Sequence, residues 1–470
     1  MTLWYDLSTS LGSTGMSGTV RTELEVCRAL QKKTKDLKFF RFTDGKIKTI
    51  GPVEAPWLYD LSKPIGDAYL KVVSERPRAA PPPPRDEHLD QLTRFARHVA
   101  PHPLDRTRNS VLFALSVLPP PVVEAVLDTL GPHANATLQL AHRLNAAMQP
   151  RHQPPPPPPP STTPPHPFSK GDAIFTVGID WGLDFLPLLK RIREKTPITV
   201  HQVVHDLTPI VVPQFHVERN CELYREFIFN VGNVVDTAWY ISEQTRLDAE
   251  QVFKSWRLPI VPSKQVRWGS VPPPPDTRTE KERKALLAHR GITRPFMLFV
   301  STVEARKNHE TVYRAYRQLL KERGPTIPQL VFVGHGGWKR SEFLGWLHRD
   351  PVVKGHLKHF SANDAELDAL YRECLFTVYP SLYEGWGLPI VESQAYGKPV
   401  LISDAPSLRE AAGPKAEAVE ALSVSAWAAA LGRYLFEPGV LERVTKAQRE
   451  AFEPVAWSHT ADQILAGVKS

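Results

Sequence analysis

The stretch from Val378 to Gly413 reads VYPSLYEGWGLPIVESQAYGKPVLISDAPSLREAAG and combines apolar runs with a glycine-rich loop. It begins within the apolar run CLFTVYPS, and both this run and PVLISD have the composition of buried strands. Between them the loop LYEGWGLP leads into a helical pattern, in which Pro389 suits the first turn because its φ is preset. A strand, a helix and a second strand in this order predict parallel strands covered by helices.

The same alternation continues toward both ends of the chain. FMLFVST and QLVFVG predict further strands upstream, after the proline-rich segment VPPPPDTRTE. A second series begins at TLWYDLS and resumes with DAIFTVGID, ITVHQVVHD and TAWYIS. We therefore predict an α/β protein with two doubly wound, Rossmann-like domains that face each other across a cleft. The predicted boundaries are 1–275, 276–455 and a final helical segment, 456–470, which is a candidate to cross back to the first domain.

Two proline tracts interrupt the first domain. The chain has 46 prolines, and they concentrate in RAAPPPPRDE from Arg78 and RHQPPPPPPPSTTPPHPF from Arg151. Such runs form extended polyproline II and cannot enter a helix or a central strand. The segment between them has helical spacing, which predicts a helical insertion at about 77–168. The tracts are interpreted as tethers, with binding of partner proteins through PxxP motifs as the alternative.

Composition restricts the classes of partner and compartment. The 470 residues are 42% hydrophobic and 23% charged, which is typical of a globular chain. A net charge of +8 favours anionic partners, but basic and aromatic residues do not interleave as they do in nucleic-acid-binding proteins. The three cysteines have no metal-ligand spacing, and neither a signal peptide nor a spanning helix is evident. We expect a cytoplasmic protein that does not bind nucleic acid.

The loop before the predicted helix at Pro389 has the features of an anion site. The main-chain N–H groups from Gly385 through Gly387 to Leu388 have no partners within the helix, and the helix dipole places positive charge there. We expect a diphosphate at this position, with Glu384 accepting hydrogen bonds from a sugar and Glu392 from the hydroxyls of a ribose. The structural alternative makes Glu392 a dipole-stabilising acid and Glu384 a surface acid.

Two cations follow the strand FMLFVST. Arg306 and Lys307 come just before a predicted helix that Asn308 is expected to cap. An arginine binds two phosphate oxygens at once and a lysine acts as a point charge, so this pair is expected to neutralise a departing nucleoside diphosphate. The alternative for an isolated Arg-Lys pair is a solvated, charged turn.

The first domain contributes two further candidate segments. SLGSTGMSGTVR places Gly12, Gly15 and Gly18 between the first strand and the first helix, without the close glycine pair of a dinucleotide-binding motif. Gly15 and Gly18 are expected to face the donor, with a flexible turn as the alternative. HDLTPIVVPQF places His205 and Asp206 at a strand end, where His205 is expected to contact the donor sugar and Asp206 to orient the acceptor or its own loop.

These segments resemble the retaining glycosyltransferases of family 4, which have the GT-B architecture. The resemblance rests on STVEARKNHETVYRAY, on the spacing of Glu384 and Glu392, and on GMSGTVRTELEVCRAL and VVHDLTPIVVPQF. Within that family the chain looks most like mannosyltransferases of bacterial O-antigen and capsule synthesis. The resemblance implies a nucleotide-sugar donor on the second domain, an acceptor on the first, no cofactor and no required metal. It also implies a diphosphate-binding role for Arg306 and Lys307.

We therefore expect transfer of a hexose, with GDP-mannose as the best candidate donor, to a growing glycan on a lipid carrier. No carboxylate pair indicates double displacement and no D-x-D signature indicates a metal-held donor, so we expect front-face attack. The resemblance implies that the anomeric configuration is retained. The expected location is the inner face of the cytoplasmic membrane, in peripheral contact with it. The alternatives are another GT-B sugar-nucleotide enzyme, such as an epimerase or a phosphorylase, and a catalytically silent scaffold for polysaccharide assembly.

Overall fold

The computed structural model describes residues 1–13, 18–60, 65, 69, 164–178, 184–270, 273, 275–336 and 341–469. Gly15 lies outside these residues, and so does the predicted helical insertion apart from 164–168. The described residues form two sheets, of seven and six strands. The sheets belong to different parts of the chain, which we call the N-terminal and the C-terminal domain.

The N-terminal sheet has the strand order β3-β2-β1-β4-β5-β6-β7. All of its pairings are parallel except that of β2 with β3. Strands β1 and β4 are neighbours in the sheet although β2 and β3 separate them in the chain, so a topological switch point lies between them. In chain order the strands are β1 (Leu3–Asp6), β2 (Leu37–Thr43), β3 (Lys46–Ile50), β4 (Ala173–Thr176), β5 (Thr199–Val204), β6 (Thr237–Tyr240) and β7 (Ser263–Gln265).

Helices pack on both faces of this sheet. The first long helix buries one face, which consists of Val20, Leu24, Cys27 and Leu30 at helical spacing. These side chains belong to one hydrophobic core cluster of the domain, and Leu188 and Ile228 belong to a second. The helices are α1 (Ser8–Gly12), α2 (Gly18–Lys33), α3 (Pro56–Tyr59), α4 (Phe185–Arg193), α5 (Thr208–Val211), α6 (Glu218–Val234) and α7 (Glu243–Trp256).

A β-hairpin at the edge of the sheet was absent from the sequence-based prediction. Strand β3 pairs antiparallel with β2, and the two-residue connection is Asp44–Gly45. Both residues have positive φ, 51° and 70°, as a tight hairpin turn requires. An Asp-Gly pair between strand-like segments is a recognised hairpin signal, so the sequence did contain the information.

The C-terminal sheet is parallel throughout, with the order β10-β9-β8-β11-β12-β13. Its switch point lies between β8 and β11. Strands β10 and β13 were missing from the prediction, because both are short and only partly buried. The strands are β8 (Phe296–Val300), β9 (Gln329–Val333), β10 (Leu357–Phe360), β11 (Thr377–Tyr379), β12 (Val400–Ser403) and β13 (Glu417–Val419).

The helices of this domain and the end of the chain complete the fold. They are α8 (Glu280–Ala288), α9 (His309–Arg323), α10 (Ser341–Arg349), α11 (Asp364–Glu373), α12 (Leu388–Ala395), α13 (Pro406–Ala412), α14 (Val424–Phe436), α15 (Val440–Ala451) and α16 (Trp457–Lys469). Helix α16 packs against α2 of the N-terminal domain, where Lys33 forms an ion pair with Asp462 at 2.7 Å. Gly467 lies against the Trp239 ring, so the chain returns to the sheet where it began.

The architecture confirms the predicted fold class of two doubly wound domains. Each sheet is buried on both faces, which explains why its central strands are nearly continuous apolar runs. Within the described part of the chain, every helix is too short or too polar to span a bilayer.

Candidate active site

A cavity of about 420 Å³ lies where the two domains meet. Its walls include the loop after β8 and the loop after β11, which flank the switch point of the C-terminal sheet. From the N-terminal domain it receives the start of α2 and the segment after β5. Nine of the predicted site residues line it: Gly18, His205, Asp206, Lys307, Glu384, Gly385, Gly387, Leu388 and Glu392.

Glu384 is at the centre of a buried charge cluster. Its Oε2 accepts a hydrogen bond from Arg306 Nη1 at 2.5 Å, and its Oε1 accepts one from Lys307 Nζ at 2.5 Å. Arg306 also donates to the Tyr383 carbonyl oxygen at 2.6 Å and to Glu304 Oε1 at 2.7 Å. Only 11% of the Arg306, Glu304 and Glu384 side chains is exposed. The structure thus brings three of the predicted catalytic residues into direct contact.

Two opposing effects act on the Glu384 carboxyl. Burial penalises the charged form, but the charges of Arg306 and Lys307 outweigh it and lower the pKa of Glu384 to about 2. Glu384 is therefore an anion at neutral pH and acts as an acceptor rather than as a proton donor. The cluster of Arg306, Lys307, Glu304 and Glu384 carries two charges of each sign.

The glycine-rich loop ends where helix α12 begins. Gly387 occupies the N-cap position, and Pro389 lies in the first turn, as predicted. The backbone folds so tightly here that a Cβ on Gly387 would come within 2.8 Å of the Ile390 side chain. Residues Gly385, Gly387 and Leu388 line the cavity, so the positive end of the helix dipole faces it.

Glu392 lies one turn into α12 and faces the same cavity. Its Oε1 accepts a hydrogen bond from Arg21 Nη1 at 3.1 Å, and its Oε2 accepts one from the Tyr371 hydroxyl at 3.1 Å. Arg21 belongs to the first turn of α2, so this ion pair joins the two domains. With two polar partners on a half-buried side chain, Glu392 is oriented rather than freely rotating.

Asn308 does not cap the following helix as the sequence predicted. It occupies the N-cap position in the left-handed conformation, with φ of 58°, and its side chain makes no capping hydrogen bond. Instead, Nδ2 donates to the carbonyl oxygens of Pro380 at 3.0 Å and Ala421 at 2.8 Å. Its Oδ1 accepts a hydrogen bond from the Thr311 hydroxyl at 2.7 Å rather than from a backbone N–H group, so the capping prediction was wrong.

His205 and Asp206 lie at the end of β5, as expected. The His205 Nε2 lies 2.5 Å from the Val177 carbonyl oxygen, which requires a proton on Nε2, and burial lowers the pKa of this imidazole. A neutral ring then has Nδ1 as its acceptor. Asp206 Oδ1 accepts from the Thr208 N–H at 2.9 Å and from its hydroxyl at 2.7 Å, a geometry that orders its own loop.

Further contacts between the domains surround the cavity. The Tyr383 hydroxyl donates to Asp248 of α7 and lies 3.2 Å from Gln244 Nε2. Glu410 accepts hydrogen bonds from the N–H groups of Glu243 at 2.7 Å and Gln244 at 2.9 Å, at the start of α7. Burial raises the pKa of Asp248. These contacts fix the two domains around the site.

Sequence reasoning did not identify Arg21, Glu304 or Tyr371. Arg21 and Glu304 lie within quoted motifs, GTVR and VEARK, and their charge was the available signal. Tyr371 belongs to α11, which has no motif, and only the tertiary structure brings it to Glu392. No group of three or more His, Cys, Asp and Glu side chains suited to a metal ion occurs among the residues that the structure describes.

Comparison with known proteins places this geometry in a family. Residues 281–451, which span the C-terminal sheet and Lys307, Glu384 and Glu392, match the family model for "Glycosyl transferases group 1". The chain is similar in structure to Anabaena Alr3699/HepE in complex with UDP and glucose, with a TM-score of 0.57 at 12% sequence identity. The alignment covers 100% of this chain and 99% of the other. The C-terminal domain therefore matches the group 1 glycosyltransferases, and the chain has the GT-B fold.

Curated relatives of this chain include mannosyltransferases. It is 25% identical to O-antigen chain mannosyltransferase B of Escherichia coli over 267 residues, which cover 56% of this chain and 68% of the relative. It is 38% identical to MMP alpha-(1->4)-mannosyltransferase of Mycolicibacterium hassiacum over 22% of this chain, but spans only 26% of that relative. A D-inositol 3-phosphate glycosyltransferase of Nocardiopsis dassonvillei is 31% identical over 39% of this chain and 45% of its own length.

Proposed function

We propose that this protein is a glycosyltransferase that moves mannose from GDP-mannose to a growing, lipid-linked surface polysaccharide, with retention of the anomeric configuration. The observation that carries the proposal is the arrangement of Lys307, Glu384 and the start of α12 around one cavity between the domains. The names of two relatives, an O-antigen mannosyltransferase and an MMP mannosyltransferase, support mannose as the sugar.

The donor is proposed to lie along α12. Its diphosphate would accept hydrogen bonds from the N–H groups between Gly385 and Leu388, with Lys307 as a point charge. The ribose hydroxyls would donate to Glu392, which the Tyr371 hydroxyl already orients at 3.1 Å. Gly18 lies on the opposite wall, where a Cβ would be 3.4 Å from the Leu388 side chain, so this wall confines the donor.

The sugar is proposed to face Glu384 and His205. Glu384 is ionised, with a pKa of about 2, and can accept hydrogen bonds from sugar hydroxyls. His205 is neutral, and its Nδ1 is the acceptor because Nε2 donates to Val177. Arg306 is proposed to act through Glu384, since it is bonded to that carboxylate and is itself buried. Arg306 thus positions the residue that contacts the sugar.

Catalysis is proposed to rest on positioning and electrostatics. As the bond between the sugar and the phosphate lengthens, negative charge grows on the leaving diphosphate, where Lys307 and the start of α12 stabilise it. The acceptor hydroxyl attacks from the same face, and its proton passes to the departing phosphate oxygen. Asp206 holds the loop on the acceptor side through Thr208. No metal is assigned a role in this scheme.

The test is a transfer assay with a panel of nucleotide sugars and lipid-linked oligosaccharide acceptors. Release of GDP from GDP-mannose only in the presence of acceptor supports transfer, whereas conversion of the nucleotide sugar alone identifies an epimerase. Sugar-phosphate formation with inorganic phosphate identifies a phosphorylase, and failure to bind any nucleotide sugar supports a scaffold. NMR of the product establishes the anomeric configuration, and activity that survives EDTA establishes metal independence.

Membrane contact is a separate part of the proposal. A net charge of +8 favours anionic lipid surfaces, where a lipid-linked acceptor would be presented at the cytoplasmic face. Co-sedimentation with vesicles containing anionic lipid, compared with neutral vesicles, tests it. Equal recovery of the protein in both supernatants would contradict membrane contact.

Binding of partner proteins through the proline tracts is tested separately, by a pull-down with the isolated tracts.

A further inference from the structure

The basic side chains near the donor site have unequal access to the cavity. Among the described residues that line it, the lysine and arginine side chains are Lys307 and Arg21. They come from different domains, since Lys307 follows β8 and Arg21 lies in the first turn of α2. The cavity thus has one cation on each wall.

Arg306, the arginine predicted to bind the diphosphate, is already hydrogen-bonded to neighbouring protein groups. Its Nη1 donates to Glu384 Oε2 at 2.5 Å and to the Tyr383 carbonyl oxygen at 2.6 Å, and its Nη2 donates to Glu304 Oε1 at 2.7 Å. Its relative exposure is 9%. Two carboxylates neutralise its charge, so moving it to a phosphate would leave Glu304 and Glu384 buried with less compensation.

Arg21 is in a different situation. Its side chain is 33% exposed, and it is bonded to Glu392, which is the proposed ligand of the ribose. A carboxylate has about four acceptor positions and a guanidinium five N–H donors, so neither group is saturated by one contact of 3.1 Å. Ribose hydroxyls can therefore donate to Glu392 in place of Arg21, which then lies beside the nucleotide.

The starts of two helices also meet at this point. A Cβ on Gly18 would lie 3.4 Å from the Leu388 side chain, so the first residue of α2 lies against the first residue of α12. Both helix dipoles therefore direct positive charge toward the region that Arg21 and Lys307 flank. A diphosphate placed there faces an arginine fork on one side and a lysine on the other.

We propose that Arg21 binds the diphosphate of the nucleotide sugar and is the phosphate-binding arginine of this enzyme. The inference rests on the proposed donor site. Arg21 exchanges its contact with Glu392 for the phosphate oxygens when the ribose engages that carboxylate. Arg21 and Glu392 belong to different domains, so a nucleotide that binds both residues connects the two domains. Occupation of the donor site therefore stabilises the arrangement in which the domains are in contact.

The experiment measures binding of guanosine, GMP and GDP, and of the uridine series, by calorimetry. Wild type is compared with Arg21→Ala, Arg21→Lys and a matched control, Lys32→Ala, which removes an exposed charge from the far end of the same helix. We expect Arg21→Ala to weaken diphosphate binding about tenfold or more and to leave nucleoside binding unchanged. Arg21→Lys is expected to recover part of the loss and Lys32→Ala to match wild type.

A double-variant series separates phosphate binding from the ion pair. If Arg21 binds phosphate, its removal weakens GDP binding in a Glu392→Gln background as well. If Arg21 only restrains Glu392, Arg21→Ala leaves GDP binding unchanged or changes guanosine and GDP equally, and the inference is overturned. Wild type that binds neither nucleotide series overturns the proposed function itself, which is a distinct result.

Discussion

Gly385 of the C-terminal domain lies directly against the main chain of His205 in the N-terminal domain. A Cβ added to Gly385 would be 2.1 Å from the His205 carbonyl oxygen and 2.6 Å from the Asp206 Cβ. No side chain fits at such a distance, so only glycine allows the domains to approach this closely. The residue beside Gly385 is Glu384, and the contact therefore determines how near the ionised carboxylate comes to His205.

Gly385→Ala is expected to abolish transfer while both domains stay folded. The added methyl group prevents the approach of the loop to His205, so the cavity cannot close to its observed geometry. Steady-state kinetics and circular dichroism measure the two effects. Gly432→Ala is the matched control, because its Cβ would be 3.8 Å from the nearest side chain. Wild-type turnover of Gly385→Ala would contradict the closed arrangement.

Glu384→Gln is expected to reduce turnover at least about 100-fold, because the amide loses the charge that holds Lys307 and contacts the sugar. Nucleotide binding is expected to change only a few-fold. Glu384→Ala is instead expected to destabilise the protein, because Arg306 would lose a buried partner at a cost of about 3–5 kcal/mol. Glu280→Gln, at an exposed ion pair, is the control for both assays.

The charge cluster also predicts a pH dependence of stability. The pKa of Glu384 is depressed to about 2 in the folded chain from its ordinary 4.5, so its contribution is complete above pH 4.5 and disappears as the pH falls toward 2. The contribution is on the order of 3 kcal/mol. Urea unfolding of wild type and Glu384→Gln at several pH values tests this, and a stability difference that stays constant from pH 7 to pH 3 would disprove it.

Asn308 provides a test of the loop that carries Arg306 and Lys307. Asn308→Ala removes two hydrogen bonds to carbonyl oxygens and one from the Thr311 hydroxyl, and it places alanine at φ of 58°, so we expect a loss of about 3 kcal/mol in unfolding free energy. Asn308→Gly loses the same bonds without the conformational cost, and its loss is expected to be smaller by about 1 kcal/mol. Equal losses in the two variants would show that the backbone conformation contributes nothing.

Local patterns predicted the fold class and the position of the loop before α12 well. The stripe that includes Val20 and Leu24 is buried as its helical spacing requires, and Pro389 lies in the first turn of α12. Such features depend on residues within one or two turns of each other, whose relation is fixed by helix or strand geometry. The strand ends therefore followed from the sequence, and with them nine of the residues that line the cavity.

Contacts between distant residues could not be predicted in this way. Glu384 and Arg306 are 78 positions apart, and they meet because β8 and β11 are neighbours in the C-terminal sheet. Arg21 and Glu392 are 371 positions apart, and they pair only because the two domains meet. Sequence spacing predicts the same role for both cations of the RK pair, yet Lys307 lines the cavity whereas Arg306 is buried outside its lining. Asn308 likewise had the residue type of a helix cap, and only the position of the Pro380 carbonyl oxygen shows why it is used otherwise.

The return of α16 to the first sheet has a mechanical consequence. The chain leaves the N-terminal domain after Val266 and comes back at Trp457, whose ring is so close to Gly269 that a Cβ there would be 2.5 Å away. The C-terminal domain is thus attached by two adjacent covalent crossings rather than by one flexible linker. Two attachment points side by side restrain the relative rotation of the two domains more than a single flexible linker would.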